Sequence, residues 1–351
     1  MSEFLKAQLR SLKEYTPGEQ PRDMQYIKLN TNESPFPPSE GVLKAVSDAE
    51  VAKLCLYPEP DCIELTKALA ERYDVKPENI MVGNGSDEIL NFCFMAYFEP
   101  EKALLFPNIT YGFYKVFGDL YGLNYTEVPL KEDFSIDPAD YIGKGANIVI
   151  ANPNAPTGME MPMSEIEKII STNTDSIVIV DEAYVDFGGQ SAASLTKKYK
   201  NLIVVMTFSK SRSLAGARVG FAIADEALIR DLKTIKYSTN PYNINRLTQV
   251  AALAAVKDAD YYDDNCKTIA ANREYLVAEL EKLGFSILPS KANFIFAQSD
   301  KISGKELYLG LKSKGVLVRH FDKAPIDNFV RITIGTKEQL DVMLQKINEL
   351  L

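Results

Sequence analysis

Between residues 80 and 224 the chain alternates short apolar runs with stretches of helical period. The runs are "NIMVGNG", "ALLFPN", "LNYTEVPL", "NIVIANP", "SIVIVDEAY", "LIVVMTFSK" and "RVGFAIAD". A strand with one wet face alternates apolar and polar residues. Val and Ile without alternation suit strands covered on both faces. Their alternation with helices predicts βαβ units and a mostly parallel sheet.

The flanks read differently. "MSEFLKAQLRSLKEYTPGEQ" predicts a short mixed-charge helix, and the Pro-rich "LNTNESPFPPSE" cannot be helical throughout. Helices are predicted near 39–50 and through Ile63, Leu65, Leu69 and Ala70. Beyond residue 241, "NPYNINRLTQVAALAAV" and "YYDDNCKTIAANREYLVAELEKLG" predict long helices, the second closed by Gly284. A hairpin-like pair in "FSILPSKANFIFAQ", a helix near 303–314, strands in "GVLVRHF" and "FVRITIGT", and a last helix from Lys337 complete an α+β texture. The expected division is a large α/β domain over 40–240 and a smaller α+β domain made of 1–39 with 241–351.

Composition narrows the class. A chain of 351 residues suits two domains. A net charge of −9 supplies no cationic field for a nucleic-acid partner, though local pockets can still hold small anions. Cys55, Cys62, Cys93 and Cys266 lack metal-ligand spacing and read as reduced thiols. A single histidine, His320, argues against a Ser-His-Asp triad and a His-rich metal site, so no metal is expected. The N-terminus has no signal-peptide core, and no apolar stretch approaches the roughly 18 to 20 residues of a membrane helix. The expectation is a soluble cytoplasmic protein acting on small molecules.

Ligands of open α/β sheets bind beyond the carboxyl ends of the strands, and several ends here carry unusual residues. Asp181 and Glu182 follow one apolar run, and Ser209 and Lys210 follow the next. A buried acid needs a partner, and a desolvated lysine becomes a nucleophile able to form a Schiff base. "GNGSDE" ends a strand on Gly83, Asn84 and Gly85 and opens a helix, where free N–H groups can meet an anion. Taken singly, each is more simply a cap, a turn or a surface lysine. Together an anion cradle, Asp181, Lys210 29 positions later and Arg218 eight beyond it describe a pyridoxal phosphate site. That cofactor needs a lysine for its aldehyde, an acid for its ring nitrogen and donors for its phosphate.

With "YTPG", "LNTNESP", "LYPEP", "GNGSDE", "TYGFY", "NPNAPTG", "VDEAYVDF", "TFSKSRSLAGARVG", "ANFIF" and "VRITIGT" in order, the chain resembles the fold-type-I pyridoxal-phosphate aminotransferases. Within them it is similar to the branch acting on histidinol phosphate. The resemblance implies a three-layer large domain with a mostly parallel sheet plus a smaller α+β domain. It implies that Lys210 holds the cofactor and moves the proton, Asp181 pairs with the ring nitrogen and Tyr184 bonds the ring oxygen. Tyr111 would stack on the ring, while Gly85, Ser86, Asp87, Ser209 and Arg218 would hold the phosphate. Arg331 would clamp a substrate carboxylate, Arg319 the phosphate of histidinol phosphate, and Tyr15 would close over the substrate. Tyr57 would be lent to the neighbouring subunit of a homodimer. The implied substrates are an amino acid or amino phosphate with 2-oxoglutarate or glutamate; aromatic amino-acid transamination and threonine-phosphate decarboxylation stay open as alternatives. One departure stands out: where the family reads Asn-Pro-x-Asn-Pro-Thr-Gly, this chain has Ala155, so either Asn154 or Tyr184 alone must serve the ring oxygen.

Overall fold

A computed structural model describes residues 4–6, 9–13 and 15–351. The expected N-terminal helix falls partly outside them. In chain order come β1 (Ile27–Lys28), α1 (Glu40–Ala45), α2 (Asp48–Val51), α3 (Ile63–Arg72), β2 (Ile80–Gly83), α4 (Ser86–Tyr97), β3 (Leu104–Pro107), α5 (Phe113–Tyr121), β4 (Tyr125–Val128), β5 (Asn147–Ala151), α6 (Met163–Thr172), β6 (Val178–Asp181), β7 (Leu202–Thr207) and β8 (Gly220–Ala224). The remainder is α7 (Glu226–Thr239), α8 (Arg246–Lys257), α9 (Ala259–Lys282), β9 (Phe285–Ile287), β10 (Phe294–Ser299), α10 (Gly304–Ser313), β11 (Val316–Leu317), β12 (Arg319–His320), β13 (Val330–Thr333) and α11 (Lys337–Asn348).

The large sheet has the order β2-β8-β7-β6-β5-β3-β4. Its strands explain their own sequences. Leu202, Val204 and Met206 of β7 face one core, with α3, α6 and α8, while Ile203 and Val205 face the other, with α4, α5 and α7. Helices on both faces make three layers, so the central strands are mostly apolar, while the edge strand β4 carries Thr126 and Glu127. Fully burying each such side chain contributes about 1.5–3 kcal/mol.

One strand departs from parallel: β8 runs antiparallel to β7 and to β2. The segment between β7 and β8 is a loop with one short 3-10 turn, not a crossover helix, so the chain re-enters the sheet at the edge it left. That edge is shared by the carboxyl ends of β2, β5, β6 and β7. It therefore gathers Gly85, Asn154, Asp181 and Lys210.

The second sheet, β12-β13-β10-β9, is antiparallel, with α9, α10 and α11 contributing to its core. α9 closes at Leu283, and Gly284 follows with φ +90, the left-handed position glycine favours. The N-terminal segment is laced to this part: β1 pairs with β11, and Thr333 N–H donates to Leu29 C=O at 2.9 Å. Thr31 and Asn32 are thereby carried to the mouth of the large sheet. The change of texture at residue 241 precedes the change of core. Ala251, Ala252, Ala255 and Val256 of α8 pack in the large core, whereas Cys266 and Ile269 of α9 pack in the small one. Among the described residues, no helix is long and apolar enough to cross a membrane, and no cluster of His, Cys, Asp and Glu could hold a metal ion.

Candidate active site

Asp181 is the last residue of β6 and is buried. Its Oδ2 accepts from the Tyr114 hydroxyl at 2.7 Å and its Oδ1 from the Ala183 N–H at 3.2 Å. No cation pairs with it among the described residues. Burial pushes its carboxyl up to about 6, against the pull of those two hydrogen bonds.

Lys210 sits three residues beyond β7. Its Nζ donates to the Thr31 carbonyl at 3.2 Å and lies 5.8 Å from the centre of the Tyr184 ring. Burial first, and the Arg331 guanidinium second, bring its ammonium down to about 8. A fraction of the amine is therefore free as a nucleophile near neutral pH. Tyr184 packs edge-on against Phe294, and its hydroxyl accepts from Asn32 Nδ2 at 3.0 Å.

The anion cradle forms where β2 turns into α4. Gly85 has φ +81, and a Cβ there would lie 2.5 Å from Nη2 of Arg218. A Cβ on Gly220 would lie 2.4 Å from the Ser86 nitrogen. Only glycines let β8 and the helix start approach this closely. Arg218 adopts φ +55 and donates to Ser209 Oγ at 3.3 Å and to Asp87 Oδ2 at 3.1 Å. Tyr111 donates to Asp87 Oδ1 at 2.7 Å. Asp87 thus orders the arginine and the aromatic wall, while the first N–H groups of α4 remain for a ligand.

Arg331 on β13 and Arg319 on β12 are register partners. Like charges directly opposite on antiparallel strands repel. Arg331 donates to the Asn30 carbonyl at 3.0 Å, its Nε is buried without a partner, and no acid pairs with it among the described residues. Arg319 is held by the carbonyls of Pro17 and Thr16, each at 3.3 Å. The Tyr15 ring stacks on Phe113 at 4.4 Å and lies 6.0 Å from Tyr111. The pair of arginines is a place for an anionic substrate.

Two expected residues stand differently. Asn154 has no donor to spare: its Nδ2 is committed to the Ile109 carbonyl at 3.0 Å and to Thr157 Oγ1 at 3.2 Å, while its Oδ1 accepts from Thr110 at 2.7 Å. It cannot replace the missing asparagine at position 155 without breaking that turn. Tyr57 is 78% exposed and stacks on Tyr242.

Three groups escaped the sequence reading. Tyr114 lies inside "TYGFY" and one helical turn past Tyr111, a spacing that could have suggested it. Asn32 lies inside "LNTNESP", without a local signal for its contact. Asp186 accepts from Ser211 and lies 3.9 Å from the buried Arg212, bracing the residues after Lys210.

These residues fit pyridoxal phosphate. A buried acid lacking a cation suits a protonated ring nitrogen, the free helix start suits a phosphate, and a partly neutral lysine suits an aldehyde. The model for class I and II aminotransferases matches residues 24–347. A histidinol-phosphate aminotransferase of Brachyspira hyodysenteriae is 52% identical over 348 residues, covering 99% of this chain and 98% of that protein. One from Clostridium acetobutylicum is 48% identical over 349 residues, 99% of each chain. The crystal structure of a histidinol-phosphate aminotransferase from Sinorhizobium meliloti, in complex with pyridoxal-5'-phosphate, shares the fold with a TM-score of 0.88 at 23% identity, over 100% of this chain and 98% of that one. With a family match across nearly its whole length, on a fold that ends its strands in Asp181 and Lys210, the chain belongs to the class I and II aminotransferases.

Proposed function

We propose that the protein transfers an amino group between histidinol phosphate and 2-oxoglutarate, giving imidazole acetol phosphate and glutamate. Pyridoxal phosphate is the cofactor. When bound, it supplies an aldehyde for the amine and a ring that withdraws electrons from the reacting carbon.

Each side chain then has a task. Lys210 holds the aldehyde and afterwards moves the proton at the substrate Cα. Asp181 keeps the ring nitrogen protonated, with Tyr114 orienting the carboxylate. The Tyr184 hydroxyl serves the ring oxygen and Tyr111 lines the ring face. The N–H groups of Ser86 and Asp87, at the turn made by Gly85, with Ser209 and Arg218, hold the phosphate; the Gly85 N–H donates to the Gly83 carbonyl at 2.9 Å. Arg331 takes the glutamate carboxylate as a bidentate partner, Arg319 the substrate phosphate, and Tyr15 covers both. Asn154 supports the turn and does not touch the ring.

The observation that carries the reading is a lysine lowered to about 8 and an uncompensated buried acid at the ends of adjacent strands. The two-domain division belongs to the same proposal, with a large domain over 40–240 and a smaller one made of 1–39 with 241–351. The substrates are small molecules. A homodimer is supported by the exposed Leu54, Leu56, Tyr57 and Tyr242, which would carry Tyr57 to the partner's phosphate site. A cytoplasmic location is supported by four free cysteines.

The test mixes cofactor-loaded protein with histidinol phosphate and no acceptor. Stoichiometric loss of the cofactor's visible band, restored by 2-oxoglutarate, supports the reading. A response to phenylalanine or tyrosine alone would move the substrate to aromatic amino acids. Carbon dioxide release from threonine phosphate would replace transfer by decarboxylation.

A further inference from the structure

We infer that Asn32 is a positioning residue: by donating its amide N–H to the Tyr184 hydroxyl, it turns that hydroxyl's own proton toward the ring oxygen of the cofactor. The inference rests on the role of Tyr184 proposed above.

Asn32 is buried and adopts φ +57, a left-handed conformation that asparagine tolerates. Its backbone N–H donates to Thr333 Oγ1 at 2.9 Å. The Thr333 oxygen therefore accepts, and its own proton is left to donate. It does so to Asn32 Oδ1 at 3.0 Å. The structure places the amide with its oxygen toward Thr333 and its nitrogen toward Tyr184, Nδ2 and the hydroxyl lying 3.0 Å apart. A further clamp comes from Asn293 Nδ2, which donates to the Asn32 carbonyl at 3.0 Å.

In this arrangement the hydrogen bonds run from Thr333 to the Asn32 oxygen and from the Asn32 nitrogen to Tyr184. Tyr184 accepts from Asn32 and has one proton left to give. The wall beside it is Ala155, Ala292 and Phe294, which offer no side-chain acceptor. The charged groups around the hydroxyl are Arg331, which favours its ionised form, and Asp181 and Asp87, which oppose it; Lys210 lies over the ring. The remaining proton points into the pocket. Ala155 gives no second donor there, and Asn154 has none free. Tyr184 is left as the donor on that side, so its orientation carries the whole contact.

A donor to the ring oxygen stabilises its negative form. Without it, the proton that oxygen shares with the Lys210 nitrogen is held to higher pH. Asn32→Gly suits the left-handed backbone and deletes the amide. It should raise the pH midpoint of the cofactor's visible absorbance by about half a pH unit to one unit, the scale of one ordinary net hydrogen bond. Thr333→Val, which frees the amide to rotate, should shift it in the same direction. Thr333→Ser should restore the native value. Tyr184→Phe sets the upper limit and should shift at least as far.

If Tyr184→Phe moves the midpoint but Asn32→Gly and Thr333→Val do not, the role of Asn32 is refuted. If Tyr184→Phe leaves the midpoint unmoved, the assignment of Tyr184 beneath it fails instead. Should Asn32→Gly not fold or not take up cofactor, the Thr333 pair decides. A role in stability alone would lower the melting temperature without moving the midpoint.

Discussion

Replacing Asp181 with asparagine should stabilise the cofactor-free protein and disable the loaded one. The carboxyl is only 4% exposed and meets two hydrogen bonds but no cation. Burial raises it from the ordinary 3.8 to about 6. The native state therefore binds the proton more tightly than the unfolded chain does. Stability from this group is full below about pH 4 and falls as pH rises through about 6. Two pH units correspond to about 3 kcal/mol lost by the native protein at pH 8.

Asparagine carries no charge, so that penalty disappears. Its single oxygen cannot satisfy both Tyr114 and Ala183, and losing one hydrogen bond costs about 1 kcal/mol. The net expectation is a gain of about 2 kcal/mol at pH 8 and a gain near zero at pH 4.5, where the native carboxyl is already mostly protonated. Urea midpoints of both cofactor-free proteins at the two pH values measure this. A gain of equal size at both, or a loss at pH 8, would refute the account of an uncompensated buried carboxylate. Added cofactor should reverse the ranking, because a protonated ring nitrogen compensates aspartate and not asparagine.

Lys210→Ala should abolish turnover and the visible band of the loaded protein; full activity in that variant would sink the lysine assignment. Capture of cofactor by the cofactor-free protein should accelerate as pH rises through about 8, where Lys210 loses its proton, and Arg331→Gln should move that midpoint upward because it removes a neighbouring positive charge. Arg319→Ala should weaken histidinol phosphate at least tenfold more than glutamate, read as kcat/KM for each; equal losses would remove its role with the phosphate. Gly220→Ala should lower stability by about 1–3 kcal/mol and weaken cofactor binding, since the new Cβ would press on backbone atoms of Gly85 and Ser86. Equilibrium unfolding and cofactor titration would show this, and native values in both would refute the close-packed cradle.

Much of this was readable in the chain, for physical reasons. "VIV" and "LIVVM", within β6 and β7, are apolar throughout because both faces of these strands are covered. The acid and the lysine that end them stand out against that background. Strand direction is not encoded in periodicity, and the antiparallel β8 became visible only with the helix-free loop before it. The break near 241 marks a change in helix length, while α8 and Tyr262 of α9 still pack in the large core, because an alanine-rich helix packs on a sheet without altering the local pattern. Asn154 stood as one candidate for the ring oxygen because a turn asparagine can aim at its own backbone or at a ligand, and its bonds to Thr110, Ile109 and Thr157 favour the turn. Asn32 could not be found locally: its partners lie 152 and 301 positions away.

The site's charges also explain why the second sheet is needed. The large sheet alone supplies an acid, a lysine and an anion cradle at one edge. β12 and β13 then bring two guanidiniums to face each other, and Arg331 lowers the Lys210 ammonium from across the cleft. Like charges held opposite each other repel, and anions that bind between them offset that repulsion by mass action. A phosphorylated substrate and a carboxylate cosubstrate both relieve the same repulsion. In the proposed reaction the two half-reactions would share one pocket, with Arg331 and Arg319 dividing the anions between them, and relief of this repulsion would add to the affinity for each anionic partner.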